Sequence, residues 1–135
     1  MNAALVVRSV WEGMEAREWN AVRRLLAEDL VVTWPQTRER IRGADAFVEV
    51  NRTYPGDWHI TVEDVIAEGE RVAARVTIVS GEDVFYASGF YRVRDGQLVE
   101  ATETFADPGV PPYDRSHLVE RYESRNSPAE GPTSS

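Results

Sequence analysis

Residues 58–106 read WHITVEDVIAEGERVAARVTIVSGEDVFYASGFYRVRDGQLVEATETFA, and their periodicity decides the fold. Trp58, Ile60 and Val62 alternate with their neighbours, and Val72, Ala74, Val76 and Ile78 do so again after the turn Glu68-Gly69-Glu70-Arg71. A period of two marks a strand with one face on a core. Ser80-Gly81-Glu82-Asp83 turns the chain into a third strand, Val84 to Arg94. Asp95-Gly96 follows, the strongest short hairpin signal in the chain, because a type I′ turn needs positive φ at both central positions. Gln97 to Ala106 completes an antiparallel meander of four strands, and Asp107-Pro108-Gly109 ends it.

Upstream the period becomes helical. Val7, Val10, Trp11 and Met14 fall on one stripe, with Arg8, Glu12 and Glu15 opposite. Gly13 costs such a helix about 1 kcal/mol relative to Ala, and lets a neighbour approach closely. Residues 19–27 read as a second helix that buries Trp19, Val22, Leu25 and Leu26 and ends at Glu28-Asp29. Leu30 to Trp34 is a short β-branched strand stopped by Pro35, and residues 36–42 read as a polar loop. Gly43 opens a third helix with Ala44, Phe47, Val48 and Asn51 on its inner stripe and Tyr54 one turn later. Residues 115–123 are expected to form a short helix capped by Asp114 or Ser116, and the polar residues 124–135 a disordered tail. Helices first and strands after them give an α+β fold. The expected shape is a conical barrel, a curved antiparallel sheet wrapped around three N-terminal helices. A single domain over residues 1–123 would hold it, with a pocket at the open end.

Composition narrows the function classes. The chain has 135 residues, 42% apolar and 28% charged, which suits one globular core. Net charge is −8, with 15 basic and 23 acidic residues, so a phosphate backbone would be repelled and nucleic acid is not an expected partner. No apolar run is long enough for a membrane span. Glu12, Glu15 and Glu18 follow the N-terminal apolar stretch at once, so no signal peptide is read and a cytoplasmic location is expected. Every basic residue is arginine, which points to a GC-rich, bacterial coding sequence. The absence of cysteine removes disulfides, thiolate metal sites and thiol nucleophiles.

Four stretches resemble a known pattern: WNAVRRLLAEDLVVTWP at 19–35, IRGADAFVEVN at 41–51, VIAEGERVAARVTI at 65–78 and FYRVRDGQLVEATETFADP at 90–108. In this order the chain resembles the nuclear transport factor 2-like superfamily, most closely its SnoaL-like branch of polyketide cyclase relatives, over about residues 5–108. The resemblance implies a conical α+β barrel, a homodimer formed through the outer sheet face, and a hydrophobic pocket with one or two polar groups. It implies cofactor-independent acid–base chemistry, namely cyclisation, isomerisation or hydrolysis of a small hydrophobic, oxygenated molecule. Non-catalytic ligand-binding or dimerisation domains share the fold, so fold alone does not choose.

The residues supply candidates for each role. Strict pairing across Asp95-Gly96 sets Tyr91 opposite Glu100 and Ser88 opposite Glu103, while one β-bulge would exchange the faces. Whichever of Glu100 and Glu103 points inward is the candidate base, its pKa raised by apolar walls. His59 is a third candidate, although alternation with Trp58 and Ile60 turns it toward the surface. Trp11, Trp34, Trp58, Tyr54 and Tyr91 would shape an aromatic cavity, or else simply pack the core. Asn51 would offer its amide to a ligand or to a loop backbone. Asp64 and Arg75 face each other as a cross-strand ion pair or an anion clamp. His117 lies in a segment expected either in solvent or as a lid. With two histidines and no H-x-x-x-H or H-x-E cluster, no metal is expected, and no cofactor fingerprint occurs.

Overall fold

In the computed structural model, which describes residues 1–123, the chain order is α1 (Ala3–Glu15), α2 (Trp19–Arg24), β1 (Leu26–Trp34), β2 (Glu39–Arg42), α3 (Ala44–Arg52), β3 (Trp58–Glu68), β4 (Arg71–Ser80), β5 (Asp83–Arg94) and β6 (Gln97–Ala106). These strands form a single curved sheet in the order β2-β1-β6-β5-β4-β3. Neighbours are antiparallel except β1 and β6, which run parallel. The fold is the expected α+β cone. Gly69, Gly81, Asp95 and Gly96 all take positive φ at the hairpin turns, which is why these residues stand there.

The core lies where the α1 stripe meets the inner face of the sheet. Val6, Val7, Val10 and Met14 pack with Leu26, Leu30, Val76 and Leu98, all essentially without solvent contact. Asn2 caps α1 by accepting the Leu5 amide at 2.8 Å. The other end of α1 is clamped to β3. Glu15 accepts the Ile60 amide at 2.7 Å. Arg17, at φ 59°, donates to the Met14, Glu15 and Trp58 carbonyls and lays its guanidinium 3.5 Å from the centre of the Trp58 ring.

Three segments differ from the sequence reading. β1 starts at Leu26, so α2 stops at Arg24. The Leu98 amide donates to the Leu25 carbonyl, and a register shift between Leu26 and Val31 lets Glu28 and Asp29 bulge outward. Pairing with β6 thus outweighs helix propensity. Residues 39–42 are a strand, not loop, since Val31 to Trp34 offer them an open edge. Residues 115–123 contain turns but no helix; Asp114 accepts the Ser116 amide at 3.0 Å in a local turn. The expected tail, 124–135, lies outside the described residues. Asp64 and Arg75 do pair across the β3–β4 hairpin, at 2.7 and 3.0 Å. Among the described residues no helix is long and apolar enough to cross a membrane.

Gly13 has a packing reason. A Cβ there would meet a γ-methyl of fully buried Val22 at 2.8 Å. Helix propensity favours Gly13→Ala by about 1 kcal/mol, but overpacking costs about 1–3 kcal/mol. Gly13→Ala should therefore lower unfolding free energy by about 1 kcal/mol in urea titration, despite improving the helix.

Candidate active site

One irregularity in β6 decides which glutamate faces the interior. Val93 pairs with Leu98, but Arg92 pairs with Glu100, so Val99 is an extra residue in the ladder. Beyond this bulge the faces exchange: Leu98, Ala101 and Glu103 point inward, and Gly89 rather than Ser88 stands opposite Glu103. Glu100 is on the outer face, 3.4 Å from Arg92 with 58% of its side chain exposed.

Glu103 is 3% exposed and has no cationic neighbour within ion-pair distance among the described residues. Its two oxygens accept from neutral donors, one from the Tyr91 hydroxyl at 2.7 Å and one from the Trp34 indole at 3.0 Å. Burial pushes its pKa above the usual carboxylate range, while the bonds from Trp34 and Tyr91 pull it back in part. Burial and the adjacent carboxylate also drive the Tyr91 hydroxyl well above its usual pKa, so it stays a neutral donor. Gly89 makes this contact possible, since a Cβ there would sit 2.5 Å from the Tyr91 hydroxyl oxygen. A glycine inside a strand signals such a close approach.

Glu103 forms part of the wall of a cavity of about 360 Å³ at the open end of the cone. Trp11 and Trp58 line one part of it, Trp34 and Phe105 another, with Phe47 and Asn51 from α3. The tryptophans line the space and do not fill it. Their N–H groups already have partners: Trp34 donates to Glu103, Trp58 to the Tyr54 carbonyl at 3.2 Å, and Trp11 faces the Tyr91 hydroxyl. Asn51 donates to the Phe47 carbonyl at 2.8 Å, which uses one of its two amide hydrogens and leaves the other. Tyr54 is half exposed at the rim, with Phe85 6.4 Å away between ring centres.

The structure thus brings Trp11, Trp34, Asn51, Tyr54, Trp58 and Glu103 together around one space. Tyr91 sits behind Glu103 and touches the carboxylate instead of the cavity. His59 and Glu100 stand apart from it. The His59 side chain is 60% exposed, with Nδ1 3.0 Å from Glu15 and Nε2 3.5 Å from Asp57. Glu15 raises its pKa first by hydrogen bonding and then by charge. His117 is exposed, and among the described residues none after Asp107 lines the cavity, so residues 108–123 do not cover it. Sequence reasoning missed Glu39, because β2 read as loop, Gln36 and Thr37 in the turn that precedes β2, and Phe85, Phe105 and Asp107 near or just past strand ends. Among the described residues no cluster of three His, Asp or Glu side chains is placed to hold a metal ion.

Residues 7–101 match the family described as SnoaL-like domain. No curated protein matches the chain. Among solved structures, a Kribbella flavida protein proposed to be a ketosteroid isomerase is 33% identical, with TM-score 0.85 and 91% of each chain covered. An NTF-2 like protein of unknown function from Burkholderia xenovorans is 24% identical, with TM-score 0.75 and coverage of 87% of this chain and 93% of that one. IdmH of Streptomyces antibioticus, proposed to be a polyketide cyclase, is 20% identical, with TM-score 0.67 and coverage of 78% and 92% respectively; at that identity it shows the fold alone.

The His59–Glu15 pair makes stability depend on pH with a definite sign. A histidine whose folded pKa is raised stabilises the fold below its unfolded pKa, about 6.5, and loses that contribution as pH rises through the folded value. The melting temperature of the native chain should exceed that of His59→Gln at about pH 5.5, and the gap should close by about pH 8.5. A gap independent of pH would mean that the pair carries no charge interaction.

Proposed function

The chain belongs to the SnoaL-like domain family of the NTF2-like superfamily, and on that premise we propose that its cone is a cofactor-independent acid–base catalyst acting on a small hydrophobic, oxygenated molecule. The observation that supports this reading is Glu103: a buried carboxylate without a counter-cation, on the wall of an aromatic cavity. A raised pKa brings a carboxyl closer to neutrality, where a base is still ionised and binds its proton firmly enough to abstract one.

In the proposed reaction Glu103 takes a proton from the carbon next to a substrate carbonyl. The C–H electron pair forms the C=C of an enolate, and the carbonyl π pair moves onto oxygen. The free amide hydrogen of Asn51 and the Tyr54 hydroxyl donate to that oxyanion. Return of the proton to a different carbon shifts a double bond and regenerates the carboxylate. Attack of the enolate carbon on a second carbonyl would instead close a ring, the π pair of that carbonyl moving onto its oxygen, which takes the proton from Glu103 to become a hydroxyl. Tyr91 and Trp34 act through Glu103: they fix its two oxygens and set its basicity, and are positioning residues. The other proposed partner is a second copy of the chain on the outer sheet face. Ile66, 70% exposed, and Phe90, 66% exposed, lie there in one cross-strand row through Ala73.

Isomerisation of β,γ-unsaturated cyclic ketones, followed by absorbance of the conjugated product, tests the reading. Glu103→Gln is nearly isosteric, and its amide can accept from Trp34 while donating to Tyr91. It should cut kcat by about 10²–10⁴-fold with the fold intact. Equal turnover by the variant would overturn Glu103 as the base. Binding with no turnover by either protein would favour a ligand-binding module.

A further inference from the structure

The charge pattern around the cavity carries information about its ligand. Three carboxylates line it, Glu103 on the wall and Glu39 and Asp107 exposed at the mouth, and no arginine or histidine does. Among the described residues neither Glu39 nor Asp107 has an ion-pair partner. Arg40, next in sequence to Glu39, alternates to the other face and bonds Thr33. One of the mouth carboxylates is paired across the sheet with an aromatic residue, and the other lines the same cavity as two aromatic rings. Glu39 is the cross-strand partner of Trp34. Trp34 packs edge-to-face on Phe105 with centroids 5.5 Å apart, and Asp107 follows Phe105 by two residues.

We infer that the substrate carries a protonated amine, held at the cavity mouth by Glu39 and Asp107 and the rings of Trp34 and Phe105, while its oxygenated end reaches Glu103. The inference rests on the pocket reading of the preceding subsection and names the class of molecule that enters. Carboxylates and ring faces together replace the water of an organic ammonium group. An anionic substrate would meet three carboxylates and no donor of opposite charge. A neutral one would leave the mouth carboxylates without a role. The net charge of −8 acts in the same direction, drawing cations toward the protein and repelling anions.

Calorimetric titration with naphthylethylamine, naphthylethanol and naphthylacetate near neutral pH tests this, since the three probes share one ring system and differ in charge. The amine should bind about tenfold more tightly than the alcohol, and the acid more weakly than both. The preference should shrink with added salt. In the double variant Glu39→Gln, Asp107→Asn the amine-to-alcohol ratio should fall toward one; both positions are exposed, and a melting curve verifies folding. Equal affinity of amine and alcohol in the native chain, or tighter binding of the acid, would overturn the charge inference alone. An unchanged amine preference in the double variant would overturn the assignment to Glu39 and Asp107. No binding of any probe would overturn the pocket reading beneath it.

Discussion

A carboxylate inside an apolar cone is costly unless its oxygens are met by donors, and much of the structure is arranged around supplying one to each oxygen of Glu103. No arginine reaches it, so neutral groups must serve, and Tyr91 and Trp34 take one oxygen each. Tyr91 reaches across because Gly89 has no side chain to block it. Trp34 reaches across because β1 lies beside β6, in the parallel pairing that joins the two parts of the sheet. The bulge at Val99 turns Glu103 inward in the first place. Losing one of these features would leave a buried polar atom unpaired, or move the carboxylate into solvent.

The cavity stays open for a related reason. Aromatic side chains free to rotate would collapse into an empty space of this size. Here their orientations are fixed from behind. Arg17 covers the Trp58 ring while the Trp58 indole donates to Tyr54, and Trp34 is held between Glu103 and Phe105. The α1–β3 clamp of Glu15 and Arg17 therefore belongs to the architecture of the site, although neither residue lines it. His59 joins that clamp from outside, which explains its contact with Glu15.

Much of this was legible in the sequence. Alternation from Trp58 onward, the Asp95-Gly96 turn and the α1 stripe gave the meander, the helices and their packing. The helical spacing of Phe47, Asn51 and Tyr54 put an amide and a phenol at the cavity. The glutamate choice was not legible, because a one-residue bulge leaves no mark in hydrophobic pattern when Val99 and Leu98 are both apolar. β2 was missed because Glu39-Arg40-Ile41-Arg42 has no apolar alternation; it is an edge strand that pairs through backbone. The same miss concealed Glu39 and the charge of the cavity mouth. Helix propensity over residues 115–123 had no packing partner to support it, and no helix formed.

Catalysis in this cavity depends on the basicity of Glu103. Carbon-detected NMR titration of side-chain carboxyls, with Glu103→Gln used to assign the resonance, measures it directly. A midpoint above the ordinary glutamate value of about 4.3, moving higher still when Tyr91→Phe removes one donor, is the predicted result. A midpoint at or below that value, unmoved by Tyr91→Phe, would contradict the picture of a buried, neutrally partnered base.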